Sequence, residues 1–124
     1  MRGQLWGNAV LDPYQMLSDV ATALVAGGIA ATLDARDLTP PGVLVELESV
    51  AHNILGGNLT VRARLLVITG DAGTLESLKA LGPLYAAVTD IVSPNTEVDS
   101  TAELVTLPNT SSPLPCFVMH VDLV

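Results

Sequence analysis

The stretch Leu59-Thr60-Val61-Arg62-Ala63-Arg64-Leu65-Leu66-Val67-Ile68-Thr69 constrains the fold more than any other part of the chain. In its first half Thr60, Arg62 and Arg64 fall on one side and apolar residues on the other, the period of a strand with one wetted face. Its second half is apolar on both faces, so the two ends of this strand lie in different surroundings. Residues 43–50 repeat the first pattern, with Val43, Val45 and Leu47 set against Glu46 and Glu48, and read as a half-buried strand. Between the two lies His52-Asn53-Ile54-Leu55-Gly56-Gly57-Asn58, too long for a two-residue hairpin turn. If the strands pair, Arg62 and Arg64 oppose Glu46 and Glu48 as a cross-strand ladder; otherwise they reach an acidic surface on a neighbouring subunit.

Helical signals flank this pair. Asp12 followed by Pro13 is a helix start, an N-cap acceptor before a residue whose missing N–H costs nothing in the first turn. Leu17, Val20, Ala21, Leu24 and Val25 then recur at helical spacing, which predicts a helix over 13–26 stopped by Gly27-Gly28. Residues 29–33 form a short extended segment, and Thr39-Pro40-Pro41-Gly42 a turn. After Gly70-Asp71-Ala72-Gly73-Thr74, the residues Leu75, Leu78, Leu81, Tyr85, Val88 and Val92 predict a second helix with one buried stripe, ended by Ser93-Pro94-Asn95. Pro83 inside it removes a hydrogen bond and predicts a kink or break near Gly82. Two more strands are expected at about 100–106, where Ala102, Leu104 and Thr106 alternate with Glu103 and Val105, and at about 115–123, joined by a Pro/Ser/Asn loop over 107–115. The order α-(β)-β-β-α-β-β makes a single α+β domain over 1–124, a mixed or antiparallel sheet of four to five strands with both helices packed on it.

Composition narrows the function. With 124 residues the chain can bury roughly two-thirds of its unfolded surface in one core. It is 49% apolar and 15% charged, with a mean hydropathy of +0.49, so it folds rather than remaining disordered. Aromatic residues make up 3%, leaving an aliphatic core and few platforms on which bases could stack. Thirteen acidic against five basic residues give a net charge of −8, which repels phosphate backbones and argues against a grip on nucleic acid. A single cysteine, Cys116, excludes an intrachain disulfide and fits a cytosolic setting. Residues 1–6 lack the apolar run of a secretory signal, and the uncharged run 20–33, broken by Gly27-Gly28, is too short to span a bilayer.

No catalytic, cofactor-binding or metal site is expected. His52 reads as a solvated residue beside a loop and His120 as a satisfied sheet residue. Cys116 and His120, four apart on one strand, share a face at a separation of about 13 Å, too far for a nucleophile and its base. The segment 70–74 follows a strand and opens a helix, but it lacks the lysine of a P-loop and the glycine spacing of a dinucleotide site. Ile54 and Leu55, aliphatics in a glycine-rich loop, pack either within the chain or against a partner.

Three local patterns are familiar together: the N-terminal helix, Ala31-Thr32-Leu33-Asp34 running into Pro40-Pro41-Gly42-Val43-Leu44-Val45-Glu46, and the strand Thr60-Val61-Arg62-Ala63-Arg64-Leu65 before a long helix. Over nearly the whole chain this resembles the tail terminator family of long-tailed, siphovirus-like bacteriophages. The resemblance rests on architecture rather than on an invariant motif. It implies a homo-oligomeric, hexameric ring at the head-proximal end of the virion tail, assembled in the host cytoplasm. Such a ring stops polymerisation of the tail tube protein and presents the surface for a head-completion or connector protein, while genomic DNA passes through unbound. It transfers no catalytic residues and no cofactor. Interface loops map onto about 51–58 and 107–115, which with the charged strand nominates Ile54, Leu55, Arg62, Arg64, Leu107 and Asn109 as subunit or tube contacts. The rival readings are another head-tail connector or a tail tube protein, which would form filaments; a small cytoplasmic enzyme using Arg62, Arg64, Glu46 and Glu48; and a monomeric ligand-binding domain with one large apolar cavity.

Overall fold

The computed structural model describes residues 12–52, 59–70, 74–110 and 112–123. In chain order the elements are helix α1 (Pro13–Ala26), strand β1 (Ala31–Thr32), a single 3-10 turn (Ala35–Asp37), β2 (Gly42–His52), β3 (Leu59–Ile68), helix α2 (Thr74–Ile91), β4 (Thr101–Val105) and β5 (Leu114–Asp122). The five strands form one mixed sheet in the order β1-β2-β3-β5-β4. Only β1 runs parallel to its neighbour, pairing Ala31 with Val43 and Thr32 with Leu44; the other pairs are antiparallel. The fold is α+β, in the order the sequence predicts.

Local chemistry sets the helix limits. The Asp12 carboxylate accepts from the Tyr14 backbone N–H at 3.0 Å, with Pro13 in the first turn. At the other end Gly28 takes φ +87°, the left-handed conformation that glycine adopts without a Cβ clash. Helix α2 runs unbroken from Thr74 through Pro83 to Ile91. Of the kink or break predicted at Pro83, the break is therefore absent: one missing bond is tolerated because Leu81, Leu84, Tyr85 and Val88 on either side all pack onto the same core.

Both helices lie on one face of the sheet. There Leu17, Ala21 and Leu24 of α1 and Leu81 and Val88 of α2 meet Val43, Val45, Ala63, Leu65, Val67, Met119 and Val121. The opposite face is divided along the strands. At one end Leu44, Leu66, Ile68, Cys116 and Val118 form a second cluster, covered by Leu38 from the segment after the 3-10 turn and by Leu107 and Leu114. This accounts for the doubly apolar half of β3. At the other end the same strands carry charge and face outward.

Two sequence expectations are corrected here. The apolar part of the buried stripe of α2 begins at Leu81, not Leu75, with Ser77 buried one turn earlier. Leu75 and Leu78 are 63% and 54% exposed, because the helix makes its sheet contacts from Leu81 onward. Leu107, nominated as an interface residue, is 2% exposed and belongs to the chain's own second cluster. Its loop folds back on itself through a Thr110 N–H to Leu107 carbonyl bond of 3.1 Å. Asn109 is exposed at that loop, but its amide donates to the Arg36 carbonyl, tying the loop to the 3-10 turn beneath. Ile54 and Leu55 lie outside the described residues.

Candidate functional site

The charged face grows from the alternation of β2, β3 and β5. Pairing sets Glu46 opposite Arg64 and Arg64 opposite His120, in a row across three strands. The Arg64 guanidinium donates to the Glu46 carboxylate at 2.8 and 3.1 Å, and this hydrogen bond raises the pKa of Arg64 above its ordinary value. Half of the predicted ladder thus forms. The other half does not, because a bulge between Leu47 and Ser49 slips Glu48 out of register and brings Ser49 opposite Arg62. Arg62 turns to the other neighbouring strand, its Nε donating to Asp122 at 2.7 Å, while Asn95 donates to the second oxygen of the same carboxylate at 3.0 Å. The displaced Glu48 reaches over β3 and contacts Nδ1 of His120, giving that histidine a partner the sequence reading did not name.

Every lysine and arginine among the described residues contacts a carboxylate: Arg36 with Asp34, Arg62 with Asp122, Arg64 with Glu46, and Lys79 with Glu76. The hydrogen bonds from Arg36 hold the Asp34 carboxyl down at about 2. None of these cations is left over to hold a phosphate. Among the described residues no group of three or more His, Cys, Asp or Glu is placed to hold a metal ion, and no helix is long and apolar enough to cross a membrane. Cys116, buried at the apolar end, has its thiol pushed up to about 11, chiefly by burial and then by the nearby Glu103. It is the reverse of an activated nucleophile.

A hollow lies on the helix side, away from the charged row. It is an open trough of about 910 Å³ between the first turns of α2 and strand β4, lined by Leu78, Leu81, Ala102, Leu104, Pro113 and Phe117 among others. Leu104 is 70% exposed in it. None of Glu46, Glu48, Arg62, Arg64 or His120 lines this trough, so the polar cluster of the enzyme reading sits on an open sheet face.

The third feature is the sheet's margins. β4 is the last strand on one side, and no described residue pairs with its outer edge. On the other side β1 covers β2 only at Val43 and Leu44, so the outer edge of β2 from Val45 onward has no strand partner among the described residues. Exposed Leu47 and Val50 lie along that open stretch. The two edges are three strand spacings apart, about 14 Å. Compared with known protein families, curated proteins and solved structures, the chain matches none.

Proposed function

We propose that this chain is a non-enzymatic virion structural protein of the tail-terminator kind. Identical copies join head to tail into a closed ring, hexameric by the resemblance, at the head-proximal end of the tail. There the ring ends polymerisation of the tail tube protein and receives the head-completion or connector protein.

The observation that carries this reading is the pair of edges, on opposite sides of one sheet, that have no strand partner among the described residues: β4 and the outer stretch of β2. A head-to-tail contact needs two different surfaces on each copy, and a rotation that closes turns such contacts into a ring. The β2 edge brings Leu47 and Val50 to the contact, while Glu46 and Glu48 beside them and the bulge disfavour indiscriminate strand pairing. The paired cations and the net charge of −8 support a lumen through which DNA moves without being gripped.

Native mass spectrometry over a wide concentration range, alone and with tail tubes, tests the proposal alongside electron microscopy of what assembles. Closed rings are expected, on tube ends if not free in solution. Long filaments would instead indicate a tube protein, and a monomer under all these conditions would overturn the reading. The double variant Leu47→Asp/Val50→Asp is expected to abolish assembly and leave the monomer folded.

A further inference from the structure

The trough between α2 and β4 is an apolar surface without a cover among the described residues; it adjoins the open edge of β4 and lies away from that of β2. Its walls are Leu78 and Leu81 on one side and Ala102, Leu104 and Phe117 on the other. Ala102 and Leu104 pair with Phe117 and Pro115, which puts them on the sheet face that the helices cover elsewhere. A face of this kind in a folded chain ordinarily has an occupant.

We propose that the occupant is the chain's own N-terminal segment, residues 1–11, which lies outside the described residues. Two observations support this. The first is reach. The segment is tethered at Asp12, the cap of α1, and eleven extended residues span about 36 Å, whereas a domain of this size is on the order of 30 Å across. The second is composition. Met1-Arg2-Gly3-Gln4-Leu5-Trp6-Gly7-Asn8-Ala9-Val10-Leu11 contains five large apolar side chains and no acidic residue. A tether this short also presents its segment to the trough at a local concentration in the millimolar range, which favours the same chain over a second copy. The trough is then part of the chain's own core, whether or not copies assemble.

Trp6 is the only tryptophan in the sequence, so its fluorescence reads the segment directly. The 124-residue chain is expected to show blue-shifted Trp6 emission and several-fold weaker acrylamide quenching than in denaturant, unchanged on dilution. Leu104→Asp is expected to move both readouts to the denatured values while circular dichroism and cooperative melting persist. Leu78→Asp, on the opposite wall, serves as the second such variant. Val25→Asp, on the exposed side of α1, is expected to change neither. Solvent-like emission in the unmodified protein would overturn the proposal, as would burial that survives both trough variants. Burial that appears only at high concentration would also overturn it and identify a second copy as the occupant.

Discussion

Along β2, β3 and β5 the sheet face away from the helices changes character within one strand length. Leu44, Leu66, Ile68, Cys116 and Val118 lie buried beneath Leu38 and Leu107, whereas Glu46, Arg64, His120, Arg62 and Asp122 stand in the same alternating positions further along, paired and partly wet. The backbone ladder is continuous through both halves, so the difference lies in the side chains and their cover. At the apolar end each large aliphatic removed from water contributes about 1.5–3 kcal/mol. At the charged end an exposed ion pair contributes about 0–1 kcal/mol, since both partners are already stabilised by water. The first half holds the fold together and the second dresses a surface.

The largest expected effect lies in the apolar half. Ile68 is fully buried, on a strand flanked by β2 and β5, and neither face can collapse onto a cavity without breaking the ladder. Ile68→Ala is expected to cost about 3 kcal/mol by chemical denaturation. A loss below about 1 kcal/mol would mean that the second cluster is loosely packed and would dissolve the contrast between the halves.

Cys116 tests the same half through pH. Its thiol titrates near 11 in the fold against an ordinary 9.0. Folding therefore keeps a proton that the unfolded chain gives up, and the corresponding stability is full below pH 9 and lost as pH rises through about 11. Thermal melts between these pH values are expected to show the decline, and Cys116→Ala to remove this component. Alkylation of the native thiol at neutral pH is expected to be far slower than in denaturant.

A smaller effect is expected where β1 meets β2. A Cβ on Gly42 would stand 2.7 Å from Leu38 Cδ1 and 3.1 Å from the Ala30 carbonyl oxygen. The leucine tip can swing aside, but the carbonyl accepts the Val43 N–H at 2.9 Å and cannot. Gly42→Ala is expected to cost about 1–2 kcal/mol through this crowding. An unchanged midpoint in the denaturation curve would show that the β1 crossing is not close-packed.

What the sequence disclosed follows the range of the physics. Helix α1 was legible to the residue because its determinants are adjacent: Asp12 and Pro13 at the start, Gly27 and Gly28 at the stop. The alternation of β2 and β3, and the pairing of Glu46 with Arg64, were legible because period two needs only a few residues. The bulge at Glu48 was not, since nothing in Leu47-Glu48-Ser49 marks it, and it alone redirects Arg62 to Asp122 and Glu48 to His120. Leu107 was misread for a related reason. A single aliphatic in a Pro/Ser/Asn loop is core or surface according to what the loop folds across, here the end of a sheet whose Leu44 and Leu66 lie more than forty positions away. The open edges depend on strand order, which local pattern does not encode.

The smallest expected effect lies in the charged half. Glu46 and Arg64 are directly opposite, with two short hydrogen bonds, yet both side chains remain a third or more exposed. A double-mutant cycle with Glu46→Gln and Arg64→Met is expected to give a coupling of about 0.5 kcal/mol, within the range of exposed pairs. Raising the salt concentration should shrink it further, because at 1 M the Debye length is about 3 Å. Both single variants are expected to unfold within about 1 kcal/mol of the parent chain, unlike Ile68→Ala. A coupling of several kcal/mol, insensitive to salt, would mean that the row from Glu46 to His120 is dry in the working protein. Something would then cover that face, and the charged half would be an interface like the open edges beside it.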